Sequence, residues 1–334
     1  MRPFYIGARG LGMGGAQIGV VDDETALAVN PAGLGRLRDV YGTLVDPEIE
    51  GSINWPGIYL SQAFSNPFDP AAMEPSLAAS PGKPFHAKAQ LFPSFVARNF
   101  GIGIFGRYLF DGRVDATGTN LQTYYQNDLA VLMGFNFRLW GGRIKLGIVG
   151  KAISRIEINK AIPVAGALDI PSNASEGAGV GFDSGLTLTA PIVWLPSISV
   201  VARDIGGTRF DTITGVRMTT ATQPAPLSQD YDVALSVTPI HSKNSRSVFT
   251  IEYDKLLEAQ QAADKVRYGH VGYEYNLADV FFLRLGMNGR YWTTGFEIAS
   301  EHTQIQLAYY GAEIGPAGAP EEDRRWVWKF VFRF

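Results

Sequence analysis

Trp326-Val327-Trp328-Lys329-Phe330-Val331-Phe332-Arg333-Phe334 closes the chain, with an aromatic at every even position and Val, Lys, Val, Arg at the odd ones. A strand sends alternate side chains to opposite faces. One face of this segment is therefore five large rings, Trp326, Trp328, Phe330, Phe332 and Phe334, and the other carries two cations. A water-soluble sheet does not leave such a face bare, and a soluble core is crowded by five aromatics in one row. A membrane barrel accommodates both, with rings toward lipid and Lys329 and Arg333 toward a wet lumen. The alternative, an amphipathic closing strand of a soluble sandwich, is disfavoured because the alternation recurs along the chain.

Working back from this strand, Trp292, Phe296 and Ile298 oppose Glu297, and Phe281, Leu283 and Leu285 oppose Arg284. Phe249, Ile251 and Tyr253 oppose Glu252, and Leu129, Val131, Met133, Phe135 and Phe137 oppose Asp128 and Arg138. Ile102, Ile104, Tyr108 and Phe110 oppose Arg107 and Asp111. Parallel-sheet strands are apolar on both faces, whereas these inner faces carry charges of both signs. The spans number about fourteen, from one near Val40 to Leu60 through to Arg325–Phe334, an even count as bacterial barrels require. Counting from a C-terminus on the periplasmic side, the short turns (around Asn99, Leu139 to Gly142, Asn276 to Ala278, and Glu301-His302) fall on that side. Ser65 to Phe85, Ala161 to Glu176 and Gly206 to Leu227 become long loops on the other. The reading is all-β: a transmembrane antiparallel barrel of about fourteen strands over residues 39–334, with residues 1–38 as an N-terminal helical plug in its lumen.

Composition sets limits on this reading. The 334 residues are 46% hydrophobic and contain no run near the ~18 apolar residues of a membrane-spanning helix. A membrane crossing must then be made by strands. Aromatics at 12% and 38 glycines suit interfacial girdles and tight turns. A net charge of −3 without a Lys/Arg cluster argues against nucleic acid. The absence of cysteine removes disulfides, thiolate metal sites and cysteine nucleophiles together. No apolar h-region follows Met1, so an outer-membrane reading expects mature numbering with the signal peptide removed.

The first forty residues do not alternate. Gly7-Ala8-Arg9-Gly10-Leu11-Gly12-Met13-Gly14-Gly15-Ala16 precedes Asp22-Asp23-Glu24-Thr25-Ala26-Leu27-Ala28-Val29 and Asn30-Pro31-Ala32-Gly33-Leu34. Asp22 or Asp23 is an expected N-cap. Asn30 should end one short helix, because the residue before a proline is biased out of the helical region. Pro31 can then open the next. Gly10, Gly12 and Gly15 satisfy G-x-G-x-x-G, but a dinucleotide site needs a strand–helix–strand context that is missing; the glycines read better as joints for close packing.

The combination of Gly10 to Ala16, Asp22-Asp23, Ala26 and Asn30-Pro31-Ala32-Gly33-Leu34 resembles the N-terminal segment of the long-chain fatty-acid transporter (FadL-type) superfamily of outer-membrane barrels. Gly12 to Ala16 is most similar to its PorV-type relatives. The aromatic C-terminus ending on Phe334 resembles the signal read by the barrel-assembly machinery. These resemblances imply an outer-membrane channel of a Gram-negative-type bacterium, embedded in lipid, that passes small hydrophobic, fatty-acid-like molecules. The PorV likeness implies the alternative, an accessory barrel that docks a partner protein. In the channel reading Gly12, Gly14, Gly15, Asp22, Asp23, Asn30, Pro31 and Ala32 form the gating plug, and Arg107, Arg138, Glu252, Glu274, Arg284 and Glu297 are lumen charges. One of Asp22 and Asp23 is expected to pair with a lumen arginine, and Asn30 to hydrogen-bond within its own turn. The proline-rich loop presents Phe64, Phe68, Met73 and Phe85 to a ligand or partner.

Catalytic and metal chemistry find no foothold. His86, His241, His270 and His302 are scattered without metal-ligand spacing, the paired acids read as caps and solvated loops, and no serine is flanked as G-x-S-x-G. No enzyme activity, cofactor or metal is expected.

Overall fold

The computed structural model describes residues 3–55, 70–164 and 168–334; Phe64 and Phe68 lie outside them. Fourteen strands run through the described residues. β1 comprises Tyr41–Val45 and Glu48–Ser52, and β2 comprises Phe85–Leu91 and Ser94–Ala97. β3 is Phe100–Val114, β4 Asn120–Leu139, β5 Ile144–Pro163, β6 Ser175–Thr189 and β7 Ser197–Arg203. β8 comprises Asp230–Val237 and Ile240–Ser242, and β9 is Ser245–Tyr253. β10 is Gly269–Leu277, β11 Phe281–Asn288, β12 Tyr291–Ala299, β13 Thr303–Glu313 and β14 Glu322–Arg333. Each of the spans read from the sequence corresponds to one of them.

Each strand pairs antiparallel with the next, and β14 returns to β1, with Trp328 opposite Ile49 and Thr43 opposite Arg333. Closure leaves no edge to attract a foreign strand. The alternation sets which face is which. In β4, Leu129, Val131, Met133 and Phe135 are exposed while Ala130, Leu132 and Asn136 between them are buried. In β14, Val327, Lys329 and Val331 are buried, and Phe332 and Phe334 are exposed. An outward band of bare Leu, Ile, Phe and Trp is a face that lipid solvates and water does not. At the end where the chain terminates the connections are short, and several need left-handed backbone, as at Asn99, Trp140, Gly141 and Gly142. The other end carries the long loops.

The band has an exception. Tyr108 and Phe110 share the outward parity of Ile104 but are buried, in a cluster with Tyr125, Ile158, Phe85, Met73 and Leu77. The long strands β3–β5 run past the lipid band there, and the loop helix Glu74–Ala78 covers their apolar outer face. Met73 and Phe85 are thus core residues of the loop end and are not displayed to a ligand or partner, which corrects the expectation drawn from the proline-rich loop.

Lys329 is inward, as its parity requires, but it is no spectator. It is buried, its ammonium 3.4 Å from the Asp46 carboxylate and donating to the Tyr5 hydroxyl at 3.2 Å. Phe330→Arg should lower barrel stability by about 2–4 kcal/mol if Phe330 sits near mid-membrane. Lys329→Ala should cost about 3–5 kcal/mol, because it strands a buried carboxylate, and Asp46→Asn in the same chain should recover part of that loss. Urea unfolding read by gel heat-modifiability tests this; a silent Lys329→Ala would contradict the pairing.

Candidate functional site

Residues 3–37 lie against the inward faces of the strands. Short helices at Ala8–Gly12 and Ala26–Val29 and a 3-10 turn at Pro31–Arg36 leave most of their backbone groups without partners of their own. Wall side chains supply them. Arg107 donates to the carbonyls of Pro3 and Phe4 at 3.1 and 2.9 Å, and Gln90 to that of Ile6 at 3.0 Å. The Ala8 amide donates to Glu48, and those of Gln17 and Ile18 to Glu252 at 2.6 and 2.9 Å. Thr293 donates to the Gly12 carbonyl at 2.9 Å, and His270 faces that of Gly14 at 2.7 Å. These partners sit on β1, β2, β3, β9, β10 and β12, so the segment is held from most of the circumference.

Glycines on both sides make the approach possible. A Cβ on Gly147 of β5 would stand 2.2 Å from the Pro31 carbonyl carbon, and one on Gly286 of β11 2.4 Å from the Gly14 nitrogen. Gly12 faces Gly295 of β12, where a Cβ on Gly12 would stand 3.0 Å from the Gly295 Cα, and Gly14 and Gly15 take left-handed φ values of 72° and 95°. Asn30 is buried; its amide donates to the Ile18 carbonyl at 2.8 Å and its oxygen accepts from the Ala32 nitrogen at 3.0 Å. It ends one helix and Pro31 opens the next. Pro31 and Ala32 are buried against β5 and β6.

The lumen charges form linked pairs. Asp128 of β4 accepts from Arg107 at 2.7 Å and from Arg155 at 2.8 Å. Arg284 binds Glu274 at 2.6 Å and also Glu297, and Arg9 of the N-terminal segment reaches Glu274 at 2.8 Å. Three expectations are corrected. Asp22 and Asp23 both pair with Arg9, at 2.7 and 3.1 Å, a residue of their own segment and not a wall arginine. The helix N-cap is Thr25, while Asp23 accepts from the Thr25 amide. Arg138 is also not part of the lumen network; it is exposed at the end of β4, beside Gly142.

Cavities flank the segment. On the loop side, one of about 330 Å³ is walled by polar and charged groups including Lys88, Arg107 and His270. A neighbouring one of about 560 Å³ is lined by Phe4, Tyr5, Ile6 and Leu257 together with Asp230 and Asp232. On the turn side lies one of about 520 Å³, and no residue lining it lines either of the other two.

The wall has a seam that the sequence reading did not locate. β1 breaks at Asp46-Pro47 and β2 at Phe92-Pro93, at the same height. Backbone pairing between them stops at Thr43 opposite Ser94 and resumes at Glu48 opposite Gln90. The Asp46 carboxylate takes the Phe92 amide at 2.5 Å in place of a strand partner. Behind the seam sits an aromatic group: Phe4 and Phe105 with ring centres 5.0 Å apart, Tyr5 and Phe92 at 5.8 Å, and Phe92 and Phe105 at 6.1 Å. At the loop end, the hairpin from Thr208 to Leu227 turns Phe210 inward beneath the Arg155 guanidinium.

These features define a class: a closed fourteen-stranded membrane barrel whose lumen is filled by its own N-terminal residues. No family model and no curated protein sequence matches the chain. Solved structures match in fold. The toluene transporter TbuX of Ralstonia pickettii superposes with a TM-score of 0.56 at 12% identity, over 98% of each chain. The monoaromatic hydrocarbon channel CymD gives 0.56 at 10% identity, over 100% of this chain and 99% of its own. A deletion mutant of the monoaromatic hydrocarbon channel TodX gives 0.57 at 14%, over 98% and 99%. At such identities the likeness is one of fold. The resemblance to PorV-type barrels gains no support from these structures.

Within the N-terminal segment, burial, with the Asp23 carboxylate beside it, pushes the Glu24 carboxyl up to about 7 from the ordinary 4.5, against the pull of Lys329 and Arg333. A carboxyl raised on docking contributes fully below its undocked value and loses that contribution as pH climbs through the docked one. Seating of the segment should therefore weaken from about pH 4.5 to about pH 7, by on the order of 3 kcal/mol. Hydrogen exchange of its amides, corrected for intrinsic rates, should lose protection across that window. Glu24→Gln should flatten the profile, and protection that rises with pH would contradict the assignment.

Proposed function

We propose that this barrel is a channel of the Gram-negative-type outer membrane that passes small hydrophobic molecules, with residues 1–38 as its gating plug. The observation that carries the reading is the seam between β1 and β2 with Phe4, Tyr5, Phe92 and Phe105 behind it. The larger loop-side cavity touches Phe4 and Tyr5, whose rings pack on Phe105 and Phe92 at the break in the wall. A hydrophobic ligand gains nothing by crossing the charged lumen toward the turn end, whereas leaving sideways returns it to lipid. The names of TbuX, CymD and TodX, a toluene transporter and two monoaromatic hydrocarbon channels, favour the same ligand chemistry.

In this reading the seat of Asn30, Pro31 and Ala32 is the pivot, and Gly12, Gly14 and Gly15 are the joints that let the plug rest on the wall. Asp22 and Asp23 act through Arg9, which ties the plug to Glu274. The aromatic face of β14, from Trp326 to Phe334, serves lipid contact and delivery to the assembly machinery. No residue is assigned a catalytic role.

Uptake of labelled toluene by Gram-negative cells lacking other hydrocarbon channels tests the reading. The intact protein should raise uptake over an empty vector. Gly147→Val, which collides with the Pro31 carbonyl, should unseat the plug and additionally admit small water-soluble solutes. Uptake equal to the vector in cells that contain the folded barrel would overturn the proposal.

A further inference from the structure

The cavity at the turn end gathers four cations, Lys145, Arg36, Arg38 and Lys243, that have no ion pair among the described residues, although the Asp22 carboxylate lies near enough to act on Arg36. Lys145 of β5 is buried, at 7% exposure, and its ammonium donates to the Gly142 carbonyl at 2.6 Å. Among the described residues it has no carboxylate partner, and the charged groups that act on it, Arg36 and Arg138, are both positive. Arg36, half-buried at the end of the N-terminal segment, donates to the Gly19 carbonyl at 2.6 Å and likewise has no ion pair among the described residues. Arg38 and Lys243 line the same cavity of about 520 Å³, also without one. The two carboxylates at its wall are already engaged, Asp22 with Arg9 and Asp279 with Arg246, each at 2.7 Å.

This departs from the rest of the lumen. Arg107, Lys151, Arg155, Arg284 and Lys329 each hold a carboxylate within 3.4 Å. A buried ammonium without a counter-charge is costly even when it is hydrogen-bonded, and gathering further cations around it raises the cost. A bound anion removes it. The side chains of Thr189 and Ser197 line the same cavity and add hydroxyl donors suited to oxygen ligands.

We propose that the turn-end mouth of the barrel is an oxyanion site centred on Lys145 and Arg36, which takes the carboxylate or phosphate group of a small molecule. The site does not depend on what the channel passes, since it lies on the far side of the N-terminal segment from the aromatic seam.

Calorimetric titration of the intact protein in a non-ionic detergent decides it, with benzoate, inorganic phosphate and benzyl alcohol as probes. Saturable binding of benzoate or of phosphate, weakened by added salt and without a counterpart for benzyl alcohol, supports the site, and which of the two binds tells an organic carboxylate from a phosphate source. Lys145→Gln and Arg36→Gln should each weaken that binding about tenfold, with the barrel checked as folded by heat-modifiability. Should either fail to fold, Lys243→Gln on the exposed turn should still weaken it by roughly threefold. Absence of saturable binding by both anions, or binding unchanged by these substitutions, overturns the proposal.

Discussion

The structure depends on one requirement: a stretch of backbone with little secondary structure of its own must be hydrogen-bonded inside a barrel. Each amide or carbonyl left unpaired there costs on the order of 1–3 kcal/mol, so residues 3–37 remain inside only because the wall provides partners. Glu48, Glu252, Arg107, Gln90 and Thr293 do so from separate strands. The same inward faces must also neutralise one another, which explains charges of both signs at alternate positions. Asp128 between Arg107 and Arg155, and Arg284 between Glu274 and Glu297, are the result. The glycines of the wall serve the same end, since a side chain at Gly147 or Gly286 would hold the backbone away from its partners.

Much of this was legible in the sequence because strands declare themselves locally. The rings at Trp326 to Phe334 fixed inside and outside for β14, and the same alternation carried the register through fourteen spans. The helix end at Asn30 and the restart at Pro31 follow from the backbone of proline alone. What escaped the reading depends on contacts between distant segments. Tyr108 and Phe110 have lipid-facing parity, and only the path of the loop helix over β3 buries them. Lys329 looked like a wet lumen cation until Asp46 and Tyr5 were found against it. Arg9 stood unremarked in a glycine run, yet it takes both acids that were expected to reach the wall. A lone arginine within a glycine-rich run, thirteen residues before an acidic pair, is the signal that was available.

The seam and the turn-end cations were out of reach for a related reason. Pro47 and Pro93 fall inside the first two spans, and their significance lies in the breaks at Asp46-Pro47 and Phe92-Pro93 standing opposite each other on adjacent strands. Arg36, Lys145 and Lys243 come from three separate parts of the chain, so no cluster of basic residues appears in the sequence. The two features lie in different parts of the barrel. Phe4 and Tyr5 connect the loop-side cavity to the rings at the seam, and cations without an ion pair among the described residues gather at the turn end. The two proposals together assign hydrophobic molecules and anions to separate parts of the barrel.

The account rests on residues 1–38 closing the lumen. Conductance of the purified barrel in planar bilayers, measured with and without those residues, tests it most directly. The account predicts a low, intermittent conductance for the intact chain and a large, steady one for a shortened chain that still passes the heat-modifiability check. Equal conductance from the two folded proteins would place the segment outside the permeation path and contradict it.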